Sequence, residues 1–355
     1  MRMAEPKQGR VSVIIPARNE EANIARVVRS LHAQRELREI LVVDDHSEDR
    51  TAEILEELKK ETSSLRVIRT DSLPAGWTGK SFAAATGARA ASGDWLLFTD
   101  ADTEHLPGSL PALLERAERE GADLLSLSPR QVTPTAWEKA VIPLVYVHLA
   151  RLYRFEEVSD PASPAAAANG QYVLIRRGAY DSAGGHEAVR GAILEDVELA
   201  RRVKSGGGRL LFLPGVEWVR TRMYRSFAEV WRGWTKNLYL LYGGNIRRML
   251  ATVAELWLLD LFPALAFIGL AVAWALGAGG AAMMLAAVAF FLLAVLRQWN
   301  YGRSLRRIGL DPRVASYQAP GAAVFGLLML NSARAYRLGG KIEWKGRLYS
   351  TKGTG

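Results

Sequence analysis

Two short carboxylate pairs are the residues in this 355-residue sequence whose types and spacing suit chemistry. Asp100-Ala101-Asp102 closes the apolar run Trp95-Leu96-Leu97-Phe98-Thr99, and Glu195-Asp196 opens the stretch Val197 to Lys204. A buried strand needs no carboxylates, so the first pair marks a strand end that faces a ligand crevice. Acids at that spacing suit a hard divalent cation such as Mg²⁺ or Mn²⁺, which takes oxygen ligands and shares its shell with phosphates. Solvated turn acids have the same look, so support has to come from elsewhere in the chain. The second pair also has two readings. The helix dipole favours carboxylates at an N-terminus, and a carboxylate set against an acceptor hydroxyl is a general base. A third pair, Asp44-Asp45, suits hydrogen bonds to a base or ribose, and Lys80 suits phosphate oxygens. Asn169-Gly170-Gln171 lies in a small-residue stretch whose bare backbone lets a ligand approach. His186 reads equally well as structural or catalytic.

These residues need elements to hold them. Val11 to Ile15, ended by Pro16, Glu39 to Val43, Leu65 to Arg69 and Asp94 to Thr99 are β-branched or apolar runs that read as strands. Between them come helical patterns from Ala17 to Leu31, from Ser47 through Leu58, and from Ser81 to Ala91. A further helix (Pro107 to Glu120) and strand (Asp123 to Ser128) follow. Strands alternating with helices over short links predict an α/β fold with a mostly parallel sheet covered on both faces. In that arrangement Pro16, Asp44 and Asp100 all sit just past strand ends, and their loops converge on one crevice. No G-x-x-x-x-G-K-[ST] loop and no G-x-G-x-x-G after the first strand is present, which argues against standard NTPase and dinucleotide sites.

Composition splits the chain. No cysteine is present, which excludes disulfides, thiolate metal sites and a cysteine nucleophile. The polar start, residues 1–10, lacks the apolar core of a signal peptide, so the first domain is expected to stay in the cytoplasm. The net charge of +9 is concentrated between Arg201 and Arg248, just ahead of apolar runs. The positive-inside rule and anionic headgroups explain that placement better than nucleic acid does. Trp231, Trp234, Tyr239 and Tyr242 interleave with Arg225, Arg232 and Lys236 like an interfacial belt. Leu256 to Ala278, with Asp260 its single charge, and Ala281 to Leu296 suit a transmembrane hairpin with both flanks in the cytoplasm. Gly321 to Leu330 is too short to span with ease and is expected to re-enter or lie in the interface. Trp137 to Tyr153 is expected to be a core helix or an interfacial one.

With those residues set out, the chain resembles a family 2 glycosyltransferase of the GT-A fold. The resemblance rests on Val-Ile-Ile-Pro-Ala-Arg-Asn-Glu (13–20), Val-Val-Asp-Asp-His-Ser-Glu-Asp (42–49), Asp100-Ala101-Asp102 and Leu194-Glu195-Asp196. Leu73 to Lys80, Gly233 to Asn237 and Trp344-Lys-Gly-Arg347 narrow it to the membrane-attached branch similar to hopanoid-associated and carotenoid glycosyltransferases. The implied activity is inverting, metal-dependent transfer of one sugar from a nucleotide-sugar, with UDP the expected carrier, to a hydroxyl or carboxyl of a membrane lipid. By the resemblance, Asp44 or Asp45 recognises the base, and the loop of Pro16, Ala17, Asn19 and Glu20 lines the nucleotide. Asp102 holds Mn²⁺ or Mg²⁺ on the pyrophosphate with help from Asp100, and Asp196 is the base beside Glu195. His46 stands where the family often has Gly, and no Q-x-x-R-W signature of processive synthases is found. The expected organisation is a GT-A domain over 11–245, a membrane hairpin plus third apolar segment over 246–338, and a basic tail over 339–355. The expected location is the inner membrane, multi-pass, with the catalytic domain on the cytoplasmic side. A polyprenyl-phosphate sugar transferase and an inactive membrane scaffold are the competing readings.

Overall fold

A computed structural model describes residues 9–339 and 341–350. Most of the expected N-terminal tail, Gly340 and the last five residues of the basic tail lie outside the described residues. The chain groups into two units, one formed by residues up to Val132 with Tyr153–Met223, the other by Thr133–Leu152 with the residues from Tyr224 on.

In the first unit, strands Val11–Ala17 (β1), Leu37–Asp44 (β2), Leu65–Arg69 (β3) and Trp95–Phe98 (β4) pair in parallel, in the order β3-β2-β1-β4. Helices Ile24–His32 (α1), Thr51–Glu61 (α2) and Gly79–Ala90 (α3) make the crossovers. β1 is buried on both faces, with Val13 and Ile15 in one apolar cluster and Ile14 in the other, which is why Val11, Val13, Ile14 and Ile15 are all β-branched. α1 buries Ile24, Val27, Val28 and Leu31, the stripe of an amphipathic helix. α3 carries small residues because it lies close on the sheet. A Cβ at Gly87 would come within 2.4 Å of Ile14 Cγ2.

Beyond β4 the sheet changes direction. Thr103–His105 (β5), Ser109–Arg119 (α4) and Leu124–Gln131 (β6) come next in the chain. Helix Ala136–Leu152 (α5) belongs to the second unit, and the first resumes with Phe155–Ser159 (α6), Val173–Arg176 (β7), Arg177–Ser182 (α7), Glu195–Ser205 (α8) and Leu210–Thr221 (β8). β7 lies antiparallel between β4 and β6, with Phe98 opposite Val173. The eight-stranded sheet is therefore mixed, less uniformly parallel than the strand and helix alternation predicts. This reversal matters for function, because the residues just before β7 emerge beside the residues just after β4.

The second unit is helical. It holds α5, Phe227–Leu241 (α9), Ile246–Glu255 (α10), Phe262–Ala275 (α11), Ala281–Arg307 (α12) and Gln318–Arg337 (α13). A π-helical turn at Leu256–Leu261 joins α10 to α11 in one rod. That rod and α12 are long and apolar enough to cross a membrane, and Leu265, Ile268, Val272, Leu285 and Leu292 are exposed along them. Asp260, in the π turn, meets Arg297 of α12 at 2.8 Å, and Glu255 joins Arg297 to Arg151. The third apolar run, expected in or at the membrane, is part of α13 and is packed. Ala322, Phe325, Leu328 and Met329 are fully buried, and Gly321 meets the α5 backbone. α5 itself is buried from Ala140 to His148. Lys341–Trp344 (β9) and Arg347–Ser350 (β10) form a hairpin whose turn residues Lys345 and Gly346 both have positive φ.

Candidate active site

The site is built where β4, α3, α8 and the loop before β7 meet. After β4, Thr99 donates its hydroxyl to the Gln171 carbonyl at 2.8 Å, which ties the strand end to the 169–171 loop. Thr103 donates to the Asp100 carbonyl and fixes the turn. Thr78 caps α3 by accepting from the Ser81 N–H, so Lys80 stands in the helix's first turn. The Lys80 ammonium lies 2.7 Å from Asp100 Oδ1 and 2.9 Å from Glu195 Oε1. Asp196, next on α8, accepts N–H groups on both oxygens, from Gly170 at 2.6 Å and from Val197 at 2.8 Å. A Cβ at Gly170 would fall 2.7 Å from Lys80 Nζ and 3.4 Å from Asp196 Oδ2. A side chain at 170 would displace the Lys80 ammonium.

Charge and burial set the protonation states. Burial first, and then the neighbouring Glu195 carboxylate, push Asp196 up to about 6 against the pull of Lys80 and its two N–H donors. Burial works against the Lys80 ammonium, but Asp100, Glu195 and Asp196 together hold it well above the ordinary lysine range. The two adjacent acids thus differ: Glu195 is ion-paired to Lys80, and Asp196 is poised to exchange a proton near neutrality. His186 lines the same cavity as Pro16, Lys80, Asp100, Gly170 and Asp196. Its Nδ1 pairs with the Tyr180 hydroxyl at 3.1 Å, its ring leans on Phe98, and burial lowers it to about 4, so it is neutral at pH 7.

A second group lies at the ends of β1 and β2. Asp45 N–H donates to the Ala17 carbonyl, and Asp44 and Asp45 are both buried. Asp44 accepts from the Ser47 N–H and Asp45 from the Thr70 hydroxyl. Arg18 donates to the carbonyls of Asp45 and His46. Asn19 N–H donates to the Ser47 hydroxyl, and its side chain accepts from Glu48. Glu20 turns its carboxylate to Asn23 at the start of α1. His46 has φ +54°, a left-handed conformation that Gly adopts with less strain.

The structure brings Pro16, Lys80, Asp100, Gly170, Glu195 and Asp196 to one cavity. Gln171 turns away into the fold toward Gln131 and Thr221, and Asn169 bonds to Gln171. Asp102 stands in the turn after Asp100, where Arg26 of α1 donates to its carbonyl at 3.2 Å. Neither the Arg26 contact nor the Thr99 tie had a sequence signal, since both depend on pairings distant in the chain. Among the described residues no three His, Cys, Asp or Glu side chains converge to hold a metal by themselves.

Residues 12–184 match the model of glycosyl transferase family 2. The chain is 30% identical over 231 residues to a 4,4'-diaponeurosporenoate glycosyltransferase of Staphylococcus haemolyticus, covering 64% of this chain and 60% of that protein. It is 27% identical over 346 residues to the Staphylococcus aureus protein of the same name, covering 96% of this chain and 88% of the other. A solved mannosyltransferase from Pyrobaculum calidifontis, in complex with GDP-Man and Mn²⁺, superimposes with a TM-score of 0.49 at 17% identity, over 92% of this chain and 86% of that one. Residues 12–184, which run from β1 to α7 of the first unit, thus match glycosyl transferase family 2.

Proposed function

We propose that the protein moves one sugar, with inversion, from a nucleotide-sugar to a hydroxyl or carboxyl of a carotenoid-type lipid acceptor in the membrane. The observation that carries this is Asp196: a buried carboxylate held by two backbone N–H groups, pushed up to about 6, beside the Lys80–Asp100 pair. A base of that strength suits removal of a proton from an acceptor hydroxyl at neutral pH. The oxygen then attacks the anomeric carbon, and the bond to the diphosphate breaks with its electron pair left on phosphate. Inversion follows from one displacement on the face opposite the leaving group. The nucleotide is assigned to the groove beside Pro16, Ala17 and Asn19, with buried Asp44 and Asp45 accepting from base or ribose.

Asp102 and Asp100 are proposed to hold Mn²⁺ or Mg²⁺. Two carboxylates on one turn fit an ion that draws its remaining ligands from phosphate and water, and they do not fit an all-protein cage. Such an ion supplies Lewis-acid stabilisation of the leaving diphosphate. The relatives' names support a carotenoid-type acceptor. The two apolar rods support a location in the cytoplasmic membrane, with Arg303, Arg306 and Arg307 and the Arg225 to Arg248 cluster on the cytoplasmic side. The test is product analysis with detergent-solubilised protein, a nucleotide-sugar panel and carotenoid acids or alcohols. A glycosylated lipid appearing with one donor supports the proposal; donor consumption that no lipid stimulates overturns the acceptor.

A further inference from the structure

The reaction proposed above leaves one charged group without a task. Lys80 sits between two acids from different elements, Asp100 at the end of β4 and Glu195 at the start of α8, within 2.9 Å of both. The Glu195 side chain is 8% exposed, whereas that of Lys80 is 40% exposed, so the lysine reaches from the open side toward a fixed partner. Small residues flank one side of it. Gly79 precedes it, Ala84 lies one turn on in the same cavity, and Gly170 faces its ammonium with no side chain. A flexible four-carbon stem with three rotatable donors is suited to changing partners.

The charges supply a reason for it to do so. Asp100, Glu195 and Asp196 bring three carboxyl groups to the cavity, and a nucleotide-sugar adds a diphosphate. A divalent ion offsets part of that charge, and a lysine already in place offsets more without the reorganisation cost of recruiting a cation. We propose that Lys80 is an exchangeable cation, paired with Asp100 and Glu195 and passed to the diphosphate when a nucleotide-sugar binds. The proposal rests on the nucleotide-sugar reading of the site. As the bond from the anomeric carbon to phosphate breaks, the electron pair stays on the diphosphate and the ammonium faces the growing charge; no proton leaves Lys80. Glu195 is then the tether that parks the cation, distinct in task from its neighbour Asp196.

The experiment is calorimetric binding of UDP, GDP and dTDP, and of the matching monophosphates, to full-length protein in detergent, with and without Mn²⁺. Wild type, Lys80→Met and Glu195→Gln are compared, with thermal melting to verify folding. Lys80→Met is expected to weaken the bound diphosphate tenfold or more while the monophosphate changes less than threefold. Glu195→Gln removes the competing carboxylate and is expected to bind the diphosphate at least as tightly as wild type. Wild-type binding with an unchanged Lys80→Met overturns the exchange and leaves the donor reading standing. So does an equal loss of diphosphate and monophosphate, or a Glu195→Gln that weakens the diphosphate as much as Lys80→Met. Failure of wild type to bind any of the three diphosphates overturns the donor reading, and the exchange with it.

Discussion

The backbone N–H of Gly170 and the carboxylate of Asp196 are 2.6 Å apart, although the two residues belong to a loop and a helix far apart in the chain. The contact exists because antiparallel β7 returns the chain to the end of β4, where α8 also begins. A side chain at 170 would collide with Lys80 before it reached Asp196. Gly170→Ala is therefore expected to lower kcat/KM by about 10²-fold, the scale of a misplaced reacting group. The circular dichroism spectrum and melting temperature should stay near wild type. A variant that transfers sugar normally would show that the close approach has no role.

Asp196→Asn removes the base and keeps the shape. For a hydroxyl acceptor the expected loss in kcat is about 10²–10⁴-fold, and the wild-type rate should fall as pH drops below about 6, where Asp196 takes up its proton. A carboxylate acceptor brings no proton to remove, so its transfer should depend far less on Asp196. Comparing the variant on an acid and on an alcohol separates the two acceptor classes. The stability effect has the opposite direction. A carboxyl raised in the folded state is destabilising once ionised, so Asp196→Asn should melt higher than wild type at pH 8. That gap should narrow as the pH falls through 6 toward 4.

Glu39 makes a contrast on the far edge of the sheet. Burial alone would raise its pKa, but hydrogen bonds from Ser92, Arg66 and Ser12 lower it to about 2. It joins the start of β2 to β1 and to the loop before β4. The stability it adds is complete above its ordinary 4.5 and is lost as pH falls toward 2. Glu39→Gln should cost about 1–3 kcal/mol of unfolding free energy at pH 7 and leave KM unchanged. Denaturant melts at pH 7 and pH 3 measure the stability change, and initial rates measure KM.

In the helical unit, Asp260→Ala leaves Arg297 facing an apolar helix pair, with Glu255 3.6 Å away as its remaining acid. The loss should be about 1–3 kcal/mol, below the figure for a wholly buried pair because Arg297 keeps 23% exposure and that second acid. Asp260→Ala with Arg297→Met should recover at least half of it. Melting in detergent of the two singles and the double gives the coupling directly.

The sequence carried the site's acids and strand ends because those signals are local. Asp100 and Asp44 follow apolar runs, and Glu195-Asp196 precedes a helical period; each is visible within ten or so residues. What was not legible depends on topology. A mostly parallel sheet follows from the alternation in the first hundred residues, and nothing in Val173 to Arg176 tells a parallel strand from an antiparallel one. The Lys80 bridge needed three elements in register, so the residue alone reads only as a phosphate ligand. Gln171 stands beside Gly170 in the sequence, yet its side chain is bound inside the fold. The run from Gly321 is apolar throughout, and its close packing against α5 has no signal in the sequence.

The central claim is sugar transfer at the Asp100–Lys80–Asp196 site, and the direct measurement is radiolabelled sugar carried from UDP-, GDP- or dTDP-sugars into a carotenoid acid or alcohol by the solubilised protein. Wild type should label the lipid from one donor, with a rate abolished by chelator and restored by Mn²⁺ or Mg²⁺. The product's anomeric configuration should be opposite to the donor's, and Asp102→Ala should give no label. A product that retains the donor's configuration, or labelling that persists in Asp102→Ala, would contradict the account.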